Sequence, residues 1–391
     1  MRQEGRKKIF PLNFQEISRG WWWGIFCFSV LALVTVGILI GYWLCGRYGS
    51  CQKTAVPADI SQQTTSTPEI FYRPLDGAAV ENLTSTMGHP MAVMIDNMID
   101  ARPQYGLNQA SLVIEAPAEA QITRFLAIFD STQNVTSIGP VRSARPYFAE
   151  WAAELGALYV HSGGSPEALD NLKKGKYDVF DLNEFYAGNY FWRSKQKYAP
   201  HNLLTSSDKL NQALVAKLPA VGASASAAAA GTSGGAAAAS GAVSAPLASP
   251  FPSWQFKDGQ AIMGATSSLA VKISYNQSDH LVVWKYNAAT NRYERYQGGK
   301  PHTDAVGEAV SASNVAVQWV KMSVLDAVGR KKIITTGEGE AWIFQDGIKI
   351  EGSWRKEVGG RTRFFDAGDQ EIKFNRGTTW IEVVADGIKV E

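Results

Sequence analysis

Two arginines stand three residues apart in "IGPVRSARPYF" (138–148): Arg142 and Arg145, with Ser143 between them. A guanidinium is a planar fork of donors that fits a phosphate or a carboxylate. Pro146 disfavours helix at the residue before it, so 142–145 is expected to be a loop feeding a helix that begins at Pro146 or Tyr147. A helix start adds unpaired N–H groups and positive potential, which makes the stretch a candidate anion site. Arg124, in "TRFLAIFD" (123–130), is a third candidate contact. The other outcome is that the arginines pair with the domain's own acids, such as Glu115 or Glu119, and pin the loop.

Three further clusters could act with it. In "YVHSGGSPEAL", His161 ends an apolar run, and Gly163 and Gly164 precede a helix start. Glycines there let a backbone approach an anion, and a strand-end histidine can move a proton or simply hydrogen-bond a neighbouring carbonyl. In "FWRSKQKYAPHNLLTS", Trp192, Arg193, His201 and Asn202 lie on a long polar-aromatic loop, either part of a site or pinned to the sheet. In "MIDNMIDARPQYGL", Asp96, Asn97 and Asp100 could hold Mg²⁺ beside Arg102, or form ordinary Asx turns. No nucleophile elbow, Ser-His-Asp order or His-Glu-x-x-His motif is present. Arginine and histidine dominate, and that suits binding an anion better than activating a nucleophile.

The elements that must carry these residues are legible. "MAVMID" (91–96), "SLVIEA" (111–116), "TRFLAIFD" and "ALYVHS" (157–162) have strand length and composition. "PYFAEWAAELG" places Phe148, Trp151, Ala152 and Leu155 on one helix face. "SPEALDNLKKG" opens on Ser165 as N-cap with Pro166 next, and ends on lysines and Gly175. Residues 71–218 therefore read as an α/β sandwich domain with a mixed sheet. Residues 219–252 are an Ala/Gly/Ser-rich stretch without an apolar stripe, read as a disordered linker. Residues 253–391 alternate apolar and polar positions between Gly, Asp and Asn turns and read as a mainly-β domain, with Asp-Gly hairpin signals in "WIFQDGIKIE" and "WIEVVADGIKVE".

The N-terminus carries a membrane signal. No charged residue lies between Trp21 and Cys45, a stretch longer than the about 20 residues that span a bilayer. Arg2, Arg6, Lys7, Lys8 and Arg19 precede it, and aromatic residues bracket it. The expected order is a cytoplasmic basic segment (1–20), a transmembrane helix (21–45) and a flexible stalk (46–70), in a single-pass protein of the cytoplasmic membrane with its C-terminal domains extracytoplasmic. Cys27, Cys45 and Cys51 are the only cysteines, so residues beyond 51 can form no disulfide and no cysteine zinc site. A lipid-modified Cys51 is a weaker match, because Tyr48 stands where an aliphatic residue is wanted. Of 391 residues, 45% are hydrophobic, which allows a sizeable core, and the net charge of +2 argues against a general nucleic-acid binder.

"ITRFLAIF", "IGPVRSARPYF", "VHSGGSPEAL", "FWR", "APHNL", "NVAVQWV" and "GTTWIEVV" occur in this order, and on them the chain resembles the YerB-like family of bacterial cell-envelope lipoproteins, built from a domain of unknown function. The resemblance covers about residues 71–391 apart from the linker, and implies a two-domain extracytoplasmic protein at the membrane surface with no established activity. In layout alone the chain is also similar to the LytR-CpsA-Psr phosphotransferases, which attach polyprenyl-linked glycopolymers to peptidoglycan using arginines and Mg²⁺. The expected function is binding of an anionic envelope ligand, a glycan or a lipid-linked phosphate, through Arg124, Arg142, Ser143, Arg145, His161, Gly163, Gly164, Trp192, Arg193, His201 and Asn202. No cofactor is expected, except Mg²⁺ under the alternative of a phosphotransferase. A non-catalytic scaffold or regulator of a wall-enzyme partner is the remaining alternative.

Overall fold

A computed structural model describes residues 17–47, 70–120, 122–217, 251–261, 269–275, 279–388 and 390–391. The chain forms two units, residues 1–68 and 69–391. The described residues of the first form the helix α1 (Ile17–Arg47), whose described side chains, residues 28, 29 and 31–44, are all exposed. Among the described residues no helix is long and apolar enough to cross a membrane. The expected span over 21–45 extends beyond the described side chains of α1, while the basic segment, the stalk, Cys51 and the linker lie almost wholly outside the described residues.

The second unit is built on a ten-stranded sheet. Its strands in chain order are β1 (Pro90–Asp96), β2 (Leu112–Glu119), β3 (Ile122–Asp130), β4 (Leu158–His161) and β5 (Phe180–Asn183) from the first half. A small sheet contributes β6 (Ala270–Ser274), β7 (Leu281–Asn287) and β8 (Arg292–Gln297), and the large sheet is completed by β9 (Asn314–Val320), β10 (Gly337–Gln345), β11 (Ile348–Lys356), β12 (Arg363–Asp366) and β13 (Thr379–Ala385). The large sheet runs β12-β11-β10-β9-β13-β2-β3-β1-β4-β5. It is mixed: β9, β13 and β2 are parallel, as are β1, β4 and β5, while β3 is antiparallel to both neighbours.

Both faces of the central strands are covered, which is why β1 and β9 are buried at every position. Period-two alternation still assigns the faces. Val113, Phe125, Val317 and Trp380 pack with Val271, Trp284 and Tyr293 of the small sheet and with Leu210 and Leu214 of α4 (Ser207–Lys217). Ile114, Leu126, Ala316 and Ile381 pack on the other side with Phe148 and Trp151 of α2 (Pro146–Ala153) and with Trp254 and Phe374. Pro146 opens α2 after an extended Arg145, as expected. In α3 (Pro166–Lys173) the Ser165 hydroxyl accepts from the Ala168 N–H at 3.4 Å. Asp346-Gly347 joins β10 to β11 with both residues at positive φ, the backbone that a two-residue Asp-Gly hairpin requires.

The sequence divides the chain at the Ala/Gly/Ser stretch, but the structure does not leave two separate bodies. β13 lies between β9 and β2, with Thr379 opposite Leu112 and Glu382 opposite Glu115. The C-terminal strands thus extend the sheet begun by the N-terminal half. A free β2 edge would otherwise expose a row of unpaired backbone groups and half of an apolar face.

Candidate functional site

Asp96, His161 and Asn183 end the parallel strands β1, β4 and β5. Ligands of α/β sheets gather outside such carboxyl ends. The arginine loop crosses this edge: the Arg142 N–H donates to Met94 O at 2.9 Å and Val141 bridges to Ile95.

Arg124 and Arg145 converge on one carboxylate. Glu119 accepts from Arg124 Nη2 on Oε1 and from Arg145 Nη2 on Oε2. Arg124 Nη1 donates to the carbonyl of Ser143 at 2.9 Å, so Ser143 enters through its backbone, and Arg145 Nη1 donates to Ala144 O at 2.7 Å. Pairing with Glu119 is the internal outcome the sequence allowed, yet it is incomplete: two guanidiniums share one acid. Burial, and then the neighbouring Arg145 charge, lower the Arg124 pKa to about 10, still cationic at neutral pH. The Nε groups of Arg124, Arg142 and Arg145 are buried and accepted by nothing.

Arg142 belongs to a second group. Its Nε lies 3.0 Å from Asp96 Oδ2, an ion pair by distance that lacks the geometry of a hydrogen bond. The same oxygen meets His201 Nδ1 at 2.7 Å, and Asp96 Oδ1 accepts from the Met98 N–H. The Arg142 side chain keeps 22% of its surface in solvent, whereas Arg124 and Arg145 are buried. Lys197 Nζ donates to Ala101 O and Pro103 O nearby, and burial lowers its pKa to about 8.

His161 is fully buried. Nδ1 faces Gly163 O at 2.8 Å and Nε2 faces Asp181 Oδ1 at 2.6 Å; both partners are acceptors, so making both bonds requires a proton on each nitrogen. The glycine pair serves packing. The Gly163 N–H donates to Asn183 Oδ1, and Gly163 O accepts from the Ala144 N–H. A Cβ on Gly164 would meet Ala144 and Leu169 at 3.2 and 3.1 Å. The Ser162 and Ser165 N–H groups go to Arg142 O and Ala144 O. The glycine loop zips onto the arginine loop and fixes it. It offers an anion few free donors.

On the long loop, Trp192 and Arg193 pair with Leu204 and Leu203. Arg193 donates to Asn202 Oδ1 at 3.0 Å and reaches Glu184 at 3.4 Å. Phe185, Tyr186, Trp192 and Tyr198 are exposed along this segment. The loop therefore brings His201 to Asp96 and leaves Arg193 nearer the rim, tied to Glu184. Asn97 is committed to Glu115, Thr123, Arg102 and Gln104, and Asp100 lies on an exposed turn. Among the described residues no three His, Cys, Asp or Glu side chains cluster as metal ligands.

A buried network went unread in the sequence. Arg295 of β8 donates to Glu115 Oε2 of β2, to Gln297 at 2.7 Å and to His302 Nδ1 at 2.6 Å, among the rings of Phe125, Trp284 and Trp380. Glu382 accepts from Trp284 Nε1 at 2.7 Å and Tyr275 Oη at 2.9 Å. Burial, and then Glu115, raise its pKa well above the usual carboxyl value, so its protonated form is favoured. Burial and Arg295 push His302 well below its usual value. The neutral ring accepts at Nδ1 and donates from Nε2 to Gln104 at 2.9 Å, while Gln104 donates to Asp96 O at 3.1 Å. The C-terminal half thereby holds the strand end that carries Asp96. A lone Glu inside each of "SLVIEA" and "WIEVV" was the available signal.

Fold and site define a mixed-sheet protein with an arginine-rich loop across its parallel strand ends. Residues 54–220 match the family described as "Protein of unknown function (DUF3048) N-terminal domain", and residues 271–381 match its C-terminal domain. The chain is 34% identical to "Putative lipoprotein YerB" of Bacillus subtilis (strain 168) over 341 residues, 86% of this chain and 91% of the relative. The crystal structure of YerB protein from Bacillus subtilis superposes with a TM-score of 0.67 at 30% identity, covering 82% of this chain and 99% of that one. The chain belongs to the DUF3048 family, as the motif resemblance implied.

Proposed function

We propose that this is a membrane-anchored, extracytoplasmic protein of the cell envelope that binds an anionic ligand, a glycan or a lipid-linked phosphate, outside the ends of β1, β4 and β5. One observation carries the reading: Arg124 and Arg145 share a single carboxylate, Glu119, while Arg142 leans on Asp96, and each of the three keeps a buried Nε–H that no acceptor hydrogen-bonds. Buried unpaired donors are costly, and an anion bridging them would satisfy both hydrogen bonding and charge. The part-exposed Arg142 is the entry, and the exposed aromatics at 185, 186, 192 and 198 offer faces for sugar rings. The charge-free stretch 21–45 and the relative's printed name support the anchored location. No feature of the site favours the phosphotransferase alternative, since Asp96 is engaged by Arg142 and His201.

Equilibrium binding of an isoprenoid-phosphate analogue to the full chain in detergent tests the reading. Arg142→Ala is expected to weaken binding about tenfold, the worth of one charge-assisted contact of about 1.4 kcal/mol. Equal affinity in both proteins would place the ligand elsewhere. Absence of any binding would favour a scaffold whose arginines only brace the loop.

A further inference from the structure

A hairpin formed by Met322–Val324 and Lys331–Ile333 projects from the large sheet. Its root is in the core: Ile333 is buried and Met322 packs beside it. Its turn is braced from behind. The Ala120 N–H donates to Gly329 O at 2.9 Å, and the backbone of Arg330 pairs with that of Glu119, the residue whose carboxylate the site arginines share. Gly329 has a φ of +81°, and a Cβ there would lie 2.8 Å from Ala120 N, so the close approach requires glycine.

The tip is another matter. Val324, Leu325 and Val328 are 60%, 51% and 68% exposed within five residues. Single exposed apolar residues need no explanation, but three on one braced turn form a patch. Lys331 and Lys332 follow it on the returning strand, and their side chains make no ion pair among the described residues. Arg330 is matched by Asp326 within the turn. Among acids of the packed elements, Glu119 pairs with the turn through its backbone and is held by Arg124 and Arg145, and Glu150 and Glu167 line a cleft of about 320 Å³ with Lys331 and Lys332. Glu150 is held there by the Thr335 hydroxyl. An apolar tip with unpaired lysines at its shoulders matches the layering of an anionic bilayer, where acyl chains lie beneath phosphates. A folded protein partner would more naturally meet a flatter patch of larger side chains, rich in aromatic residues and depleted in lysine.

We propose that this hairpin docks on an anionic lipid surface, its Val324, Leu325 and Val328 tip entering the interface and Lys331 and Lys332 contacting the headgroups. The proposal does not depend on the arginine site, although the brace at Glu119 would hold that site close to the lipid. The test uses the full chain with Cys27, Cys45 and Cys51 replaced by serine. A polarity-sensitive dye is attached through Val328→Cys or, as a control on another exposed turn, Val358→Cys. Vesicles contain equimolar phosphatidylglycerol and phosphatidylcholine, or phosphatidylcholine alone, and carry nitroxides in the acyl region. The expected result is quenching of the Val328→Cys dye several-fold stronger than that of the Val358→Cys dye, on anionic vesicles only, and abolished by Lys331→Glu/Lys332→Glu. Equal quenching of the two dyes, insensitivity to lipid charge, or failure of the chain to float with anionic vesicles would each overturn it. None of these readouts reports on isoprenoid-phosphate binding at Arg142, so either idea can fail alone.

Discussion

At the scale of single residues, the arginine cluster is an unbalanced charge set. Glu119 compensates one of the two guanidiniums it touches, and Arg142 leans on Asp96. Glu119→Gln leaves Arg124 and Arg145 with no carboxylate, and losing one partner of a buried pair costs about 3 kcal/mol. If the cluster is built for an anion, millimolar pyrophosphate should restore much of that loss in a thermal melt. If the arginines only brace the loop, the variant stays destabilised at every anion concentration. Arg142→Ala, at a part-exposed position, is expected to change stability by less than about 1 kcal/mol in the same melt. The arginines were legible from type and spacing, and Glu119 was one of the two acids foreseen as partners. The packing role of Gly163 and Gly164 was not legible, because it depends on Ala144 and Leu169 arriving from other elements.

At the scale of elements, β2 and β13 place two carboxyl groups side by side, Glu115 opposite Glu382, with one guanidinium between the layers. Such a pair cannot keep both charges in an apolar interior. Glu382 has its pKa raised, so the folded state holds a proton that the unfolded state releases above about pH 4.5. Its contribution is present at low pH and is lost as pH rises through the folded value. Glu382→Gln mimics the protonated group. It should cost within about 1 kcal/mol at neutral pH and flatten the decline of stability above about pH 4.5 in urea titrations. Glu115→Gln removes the partner of Arg295 and should cost about 3 kcal/mol. A smaller cost for Glu115→Gln than for Glu382→Gln would reverse the assignment. Local pattern announced β1 to β4 and the start of α2. It could not pair Glu115 with Glu382, which meet only because β13 returns to the edge of β2.

At the scale of the molecule, the two halves share one sheet and one buried network, from Arg295 through His302 and Gln104 to the backbone of Asp96. The Ala/Gly/Ser composition of 219–252 suggests a linker but says nothing of how its flanks pack. Parallel pairing has no local signature. "NVAVQWV" reads as an alternating strand, and its burial at every position appears only in the structure, where β9 is covered on both faces. A protease site engineered between residues 221 and 249 should yield two fragments that stay together through gel filtration and melt as one unit. Residues 70–218 expressed alone should aggregate, because the edge of β2 and the apolar face around Val113 and Phe125 would be bare. Independent folding of that fragment would refute the single-sheet account.

The most direct test of the anion site is the thermal melt of the unaltered full chain with and without pyrophosphate in large excess. A ligand at about 100 times its dissociation constant stabilises by about 2.7 kcal/mol. The account requires an upward shift that Arg142→Ala/Arg145→Ala abolishes. A melt that pyrophosphate leaves unmoved, in a chain that stays folded and monodisperse, would contradict it and leave the arginines with the protein's own acids, Glu119 and Asp96, alone.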